Sequence, residues 1–404
     1  MADLFPANPR IKDADAATRL FKESMSGFLT LFDNSPACMS MTTLGKREYV
    51  KVNKQFLEKL GYAEKEVIGR TSAALGILDA AEAIKVASIL KEKGRLQNDI
   101  VKCTAKDGTE VYTVSCIEKM EFNGEHYLVS SFLDITKIIE QQRLIERQHK
   151  EILESINYAR HIQNAIFPTQ EQIEEILPES FVLAKPKNIV SGDFYWIKKL
   201  GNKIFVAACD CTGHGVPGAL ISIIGFKLLS KFITEYAFSN PAQILNQLNK
   251  EFFIADKKTA EHSFEIKDGM DIALCTVDKT IMMMRYAGAY NPIYLVRKGK
   301  LSQLAVDKIP IHLFSDYTGQ EFTDYEIKIE KGDSLYLFSD GYADQFGGPK
   351  RKKFRYKGFQ DLIVSIHHLP MHAQKKIFDN TIEEWKDESG EEQTDDILIV
   401  GFKV

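Results

Sequence analysis

Ile204-Phe205-Val206-Ala207-Ala208-Cys209-Asp210-Cys211-Thr212-Gly213-His214-Gly215 is the stretch on which the reading of this chain turns. The apolar run Ile204–Cys209 has the length and composition of a strand buried on both faces, and it ends in an acid. Gly213, Gly215 and the later Gly218 permit a tight strand-to-helix turn, because glycine alone takes positive φ without steric cost. Asp210 is thereby placed at the rim of a sheet.

The same grammar recurs on either side. Upstream, Val190-Ser191-Gly192-Asp193-Phe194-Tyr195-Trp196 precedes a turn at Leu200-Gly201-Asn202, and a hairpin through that turn sets Asp193 beside Asp210. Downstream, the apolar run Ser334–Ser339 leads into Asp340-Gly341, and Gln393-Thr394-Asp395-Asp396 leads into Ile397–Val400. Asp271, in Gly269-Met270-Asp271-Ile272-Ala273, opens a further strand and is an accessory candidate. A single Asp-Gly is ordinarily a turn. Several strand-end acids in one region are another matter, since gathered carboxylates repel unless hard divalent cations neutralise them. All-oxygen ligation selects Mn2+ or Mg2+, whereas zinc would ask for His or Cys. A binuclear Mn2+ or Mg2+ site is the chemistry these residues imply.

The chain has 404 residues, enough for two or three domains. Its 44% hydrophobic and 27% charged residues exclude a disordered chain, and its net charge of −4 offers no overall basic footprint for nucleic acid. Six scattered cysteines with no Cys-x-x-Cys pair predict neither a disulfide framework nor a zinc ribbon. Met1–Arg10 lacks the basic start and apolar run of a signal peptide, and no uninterrupted apolar stretch reaches membrane-spanning length. These features predict a cytoplasmic protein without membrane insertion.

Residues 20–136 read as an antiparallel sheet with helices on one side, after an N-terminal segment, 1–19. A helix is expected at Thr18–Asp33, strands at Cys38–Thr42 and Arg47–Val52, and three longer strands at Leu96–Thr104, Glu110–Lys119 and His126–Leu133. Lys106-Asp107-Gly108 and Asn123-Gly124 are the turns between the last three. Asn53-Lys54-Gln55-Phe56, Leu60-Gly61-Tyr62, Glu66, Gly69 and the closing Asp134-Ile135-Thr136 resemble the PAS sensor family. That family takes many ligands. Here there is no flavin-attachment cysteine motif and no evident haem-ligating histidine, His126 being read as structural, so the ligand is open.

From Lys137 to Phe167 the pattern is helical, and Ile138, Ile145, Ile152, Ala159 and Ile166 recur every seven residues. The companion row, Gln142, His149, Ile156 and Gln163, is polar at all but Ile156, which predicts an adjustable parallel coiled-coil linker over 137–168 and a homodimer through linker and PAS domain. A plain amphipathic helix packed on its own domain is the competing reading.

Beyond 168, strands alternate with helices expected at Gly218–Tyr236, Asn240–Asp256, Lys357–Leu369 and Met371–Lys386. Gly-Asp-Phe-Tyr, Asp-Cys-Thr-Gly-His-Gly, Phe-Ser-Asp-Gly and Gln-Thr-Asp-Asp, in this order, resemble the SpoIIE-like branch of the protein phosphatase 2C-like Ser/Thr phosphatases. The resemblance covers about 181–404 and extends to the lead-in Ser155–Gln163. It implies an α+β protein whose catalytic domain, 169–404, is an αββα sandwich of two antiparallel sheets with metals between them. It further implies that Asp210 bridges two ions, that the Cys211 carbonyl and Asp193 serve the first, and that Asp340 and Asp395 hold the second. Asp396 stands where eukaryotic relatives have Asn. His214 is the candidate proton donor, although it lies four residues after Asp210 where eukaryotic relatives have their histidine two after. Two ions of this kind activate a water for in-line attack on phosphorus, so no covalent intermediate is required. The implied substrate is a phosphorylated bacterial regulator such as an anti-sigma-factor antagonist. A catalytically inactive scaffold is the alternative; a sensor histidine kinase lacks its glycine-rich ATP lid.

Overall fold

Alternating burial along the strands between Cys38 and Asp134 explains how the first sheet forms. The computed structural model describes residues 26–122, 124–257, 269–312 and 320–404, and the chain divides into two units, Met1–Lys150 and Glu151–Val404. Of the helix expected at Thr18–Asp33, the described part is helical; segment 1–19 and Asn123 lie outside the described residues. Strands β1 (Cys38–Thr43), β2 (Tyr49–Val52), β3 (Leu96–Thr104), β4 (Glu110–Phe122) and β5 (Glu125–Asp134) form an antiparallel sheet in the order β2-β1-β5-β4-β3. Its inward residues, among them Cys38, Val101, Val111 and Phe132, pack against Phe56, Leu60 and Val86 of the intervening helices.

The motif residues have physical work in this unit. Asn53 caps the helix Lys54–Leu60, its Oδ1 accepting from Phe56 N at 3.0 Å and from Met39 N at 2.9 Å. Gly61 ends that helix at φ 73°, a conformation that favours glycine. Asp134 Oδ1 accepts from Thr136 N at 2.8 Å, and Thr136 Oγ1 accepts from Tyr112 N at 2.9 Å, fixing the exit of β5. Between sheet and helices lies a cavity of about 300 Å3, lined by Ser40, Tyr49, Phe56, Cys103 and Ser115 among others. His126, exposed on β5, is not among its lining residues.

A helix spans Thr136–Ile166, and Ile138, Ile145 and Ile152 on it are 60%, 64% and 57% exposed. Gln163, which the heptad pattern puts on the seam, is instead buried in the second unit. Its amide donates to Ser191 O at 2.7 Å and Ser222 Oγ at 2.9 Å, while Ser191 N donates to its Oε1. A buried amide needs partners for all its groups, and the loop before Asp193 and Ser222 of the helix Gly215–Ser230 supply them.

The second unit is built on β6 (Ser180–Lys185), β7 (Phe194–Leu200), β8 (Lys203–Cys211), β9 (Gly269–Asp278), β10 (Met283–Ala289), β11 (Tyr294–Arg297) and β12 (Lys300–Gln303). It is completed by β13 (Ile311–His312), β14 (Tyr325–Lys328), β15 (Ser334–Phe338), β16 (Phe346–Gly347), β17 (Lys352–Lys353) and β18 (Ile397–Lys403). One sheet runs β14-β10-β9-β8-β7, with β13 beside β9, and the other runs β12-β11-β15-β18-β6. Val206, Ala208 and Cys275 of the first meet Leu335, Leu337 and Val400 of the second in a shared core. The outer faces are covered by helix pairs. Gly215–Ser230 and Pro241–Lys257 lie on the first sheet, and Arg355–Ile366 and Met371–Asp387 lie on the second. The expected αββα sandwich is borne out.

Gly215–Ser230 continues as a π-helical turn, Lys231–Glu235, and together they are long and apolar enough to cross a membrane. The helix instead packs on the sheet through small residues: a Cβ at Gly225 would stand 3.0 Å from the Phe194 ring.

Candidate metal centre

Hydrogen-bond register decides where the acids fall. Phe194 pairs with Cys209 across β7 and β8, so Asp193 and Asp210 are neighbours at one sheet edge; Asp210 pairs directly with Asp271 across β8 and β9. The second sheet delivers Asp340 from the end of β15, whose backbone N–H lies 3.4 Å from Asp210 Oδ2. Asp395 and Asp396 precede β18, the neighbour of β15. Both sheets thus end their central strands in carboxylates at the same place.

Burial raises the carboxyls of Asp193, Asp210, Asp271 and Asp340. For Asp193, burial comes first and then the Asp210 charge; for Asp210, burial and then Asp340 and Asp271; both are held well above the usual carboxylate range. Burial, reinforced by Asp340, lifts Asp271 to about 6, and burial, reinforced by Asp344 and Asp395, lifts Asp340 to about 6. Asp193 Oδ2 is buried and has no hydrogen-bond partner. Among the described residues no three His, Cys, Asp or Glu side chains close around a point tightly enough to enclose an ion alone. A hard cation that keeps several waters needs no such enclosure. An orphaned carboxylate oxygen, mutually repelling neighbours and an all-oxygen donor set fit divalent magnesium or manganese.

Several residues hold the acids without being expected to. Asp396 is 3% exposed, and its two oxygens accept from Lys187 N and Gly192 N, each at 2.7 Å. Asp396 therefore clamps the loop that presents Asp193. Gly192 has no room for a side chain: a Cβ would stand 2.7 Å from Gly213 O and 3.0 Å from the Cys211 carbonyl. Thr212 Oγ1 donates to Gly269 O at 2.8 Å and accepts from Gly269 N at 2.7 Å, tying the loop after Asp210 to the start of β9. Burial, and then the charges of Asp340 and Asp344, raise the Tyr356 hydroxyl. The Asp395-Asp396 doublet was the one sequence signal pointing to this shell.

Cys209 and Cys211 are buried, and burial pushes both thiols well above their ordinary range, so neither is a thiolate nucleophile near neutral pH. His214 is exposed at the N-terminus of Gly215–Ser230, its Nδ1 2.8 Å from Asn188 Oδ1.

Residues 201–404, half of the chain, match the family model of Stage II sporulation protein E. The chain belongs to the SpoIIE family. Residues 36–137 match the PAS domain model. Among curated proteins, this SpoIIE-family chain is 25% identical over 225 residues to phosphoserine phosphatase RsbU of Bacillus subtilis (strain 168), covering 55% of this chain and 63% of that relative. Among solved structures, the SiaA-PP2C domain of Pseudomonas aeruginosa superposes with a TM-score of 0.57 at 28% identity, covering 64% of this chain and 98% of that one.

Proposed function

We propose that the second unit is a metal-dependent protein serine/threonine phosphatase, hydrolysing phosphoserine or phosphothreonine of a signalling regulator under control of the PAS unit. The observation that carries this reading is the convergence of Asp193, Asp210 and Asp271 from one sheet with Asp340 and Asp395 from the other, with Asp193 Oδ2 unpartnered. Membership of the SpoIIE family and similarity to RsbU support the reaction class.

Asp210, Asp193 and the Cys211 carbonyl would hold one divalent ion, Mn2+ or Mg2+, and Asp340 and Asp395 the other. When bound, such a pair supplies an activated water and neutralises phosphoryl charge. The chain's own residues do the positioning. Asp396 fixes the Asp193 loop, Thr212 fixes the loop after Asp210, and Gly341 lets the two acid-bearing segments of the second sheet touch, a Cβ there falling 1.9 Å from Asp396 O. His214 stands at the rim, available to donate a proton to the departing serine or threonine oxygen. Retention of every expected acid counts against an inactive scaffold. The exposed Ile138, Ile145 and Ile152 row supports pairing of two chains through the helix, and the described cysteines are all free, which suits a reducing compartment such as the cytoplasm.

The test is Mn2+-dependent hydrolysis of p-nitrophenyl phosphate and a phosphoserine peptide by the full chain, beside Asp210→Ala and Asp340→Asn. Loss of at least roughly 100-fold in kcat is expected for each variant. Metal-independent turnover, or variants as active as the parent, would overturn the proposal.

A further inference from the structure

Residues 350–357 carry the densest positive charge in the chain: Lys350, Arg351, Lys352, Lys353, Arg355 and Lys357, in a protein of net charge −4. The segment is built into the fold. Strands β16 and β17 pair Phe346 with Lys353 and Gly347 with Lys352. The hairpin is seated on Trp385, because a Cβ at Gly347 would stand 2.1 Å from Trp385 O and Gly348 N donates to that oxygen at 2.7 Å. Phe354 packs edge-on against the Trp385 ring, and Phe354 N donates to Gln345 O at 2.9 Å. Buried Gln345 in turn accepts from Thr394 N at 2.9 Å, beside Asp395. Arg351 and Arg355 are kept at φ 47° and 71°, which is strained for residues other than glycine and persists only where the surroundings enforce it.

This rigid hairpin adjoins the acids. Lys353 Nζ lies 2.7 Å from Asp344 Oδ2, and Asp344 N donates to Asp340 O at 2.9 Å. Exposed lysines are ordinarily just solvated, and three of these cations do have carboxylate partners: Lys353 with Asp344, Lys357 with Asp361 and Arg351 with Glu391. Among the described residues Lys350, Lys352 and Arg355 pair with no carboxylate, and all three are exposed. Like charges fixed side by side repel, and an anionic partner relieves that repulsion.

We infer that the 346–353 hairpin, with the start of the helix that follows it, docks an acidic segment of the phosphoprotein substrate, adjacent in sequence to the phosphoserine whose phosphate enters beside Asp340. The inference rests on the phosphatase reading of that site. A protein segment fits better than a lipid surface because whatever lies on Lys350–Lys353 must be continuous with the group entering next to Asp340. Three residues of strand, from Lys353 to Lys350, reach roughly 10 Å, so the acids should fall about three to five residues from the phosphoserine.

The experiment measures kcat/KM of the full chain with Mn2+ for two phosphoserine peptides of equal length, one with Asp and Glu at those positions and one with Asn and Gln. At low ionic strength the acidic peptide should be preferred roughly tenfold, through KM, and high salt should erase the preference. Lys350→Glu with Lys352→Glu should bring the ratio to about one. Lys298→Glu, in the β11–β12 turn, with Lys331→Glu, just before β15, makes the same charge change beside the end of β15 remote from Asp340 and should leave the ratio as in the parent. Because the ratio is taken within each preparation, partial misfolding cancels. Equal kcat/KM for the two peptides in the parent, or a preference that survives in Lys350→Glu/Lys352→Glu, overturns the inference. So does an absent peptide preference combined with binding to phosphatidylserine vesicles that the same double variant abolishes, which would assign the hairpin to a lipid surface. Failure to hydrolyse either peptide or p-nitrophenyl phosphate would instead overturn the phosphatase reading beneath it.

Discussion

Replacing Asp271 by Asn should stabilise the metal-free protein, by an amount that grows as pH rises from about 4 and is complete above about 6. Asp271 faces Asp210 across the β8–β9 ladder, and burial followed by the Asp340 charge raises its carboxyl from 3.8 to about 6. The folded state therefore binds this proton more tightly than the unfolded chain does. Below the unfolded value both states are protonated and the group is neutral in its effect. As pH rises through about 6 the buried carboxylate must ionise, and stability is lost. A tenfold change in proton affinity is worth about 1.4 kcal/mol, so the full effect is about 3 kcal/mol. Partial exposure of the side chain lowers this to about 2 kcal/mol. Asp271→Asn keeps the shape and removes the charge. In calorimetry with EDTA, the second unit's thermal midpoint should rise by roughly 4–8 °C at pH 8 and by only about a third of that near pH 4.5. Saturating Mn2+ should shrink the gain, since the cation then does the neutralising. An unchanged midpoint at pH 8, or an equal gain at both pH values, would refute the claim that charge repulsion sets the energetics of this edge.

Asp396→Asn should cost roughly 2–4 kcal/mol, because one of the two N–H groups it serves, Lys187 or Gly192, would then face an NH2 donor. Urea unfolding followed by tryptophan fluorescence checks this in the second unit, which holds both Trp196 and Trp385, and an unchanged midpoint sinks it. In the first unit, Asn53→Ala removes bonds from Met39 N and Phe56 N and to Phe32 O and Ala37 O. A loss of roughly 2–4 kcal/mol is expected, read as faster hydrogen exchange at the Met39 and Phe56 amides; undiminished protection there would count against it.

The buried strands were legible because each is a short apolar run bounded by a turn or an acid, and the hairpin turn Leu200-Gly201-Asn202 set the register that joins Asp193 to Asp210. Less legible were contacts between segments far apart in sequence. Asp396 reaches Lys187 and Gly192 across 209 and 204 residues, and no local pattern encodes that. Gly341 looked like an ordinary turn glycine, yet its φ is not positive; it is glycine because Asp396 O occupies the space of a side chain. Gln163 follows the heptad spacing, but Ser191 and Ser222, 28 and 59 residues away, decide its burial. The helix expected from Gly218 begins at Gly215, with Pro217 in its first turn, where a missing N–H costs nothing.

Carboxylates that repel one another stay together only if something else fixes their backbones. Here, Asp396 apart, the fixing groups are uncharged. Gly192 and Gly218 both close on Gly213 O, with added Cβ atoms at 2.7 Å and 2.1 Å, so three segments meet backbone to backbone around Asp193 and Asp210. Close-packed backbone cannot yield to relieve a like-charge contact as flexible side chains could, so relief comes from taking up protons or a cation. The two kinds of change at this centre must then differ in sign. Removing an acid with no backbone donors to serve, such as Asp193, relieves metal-free stress and stabilises the fold while weakening ion binding, whereas a methyl group at Gly218 would part the segments and lose stability and ion binding together. The opposed signs separate a strained ion cradle from a merely well-packed sheet edge, where both substitutions would destabilise.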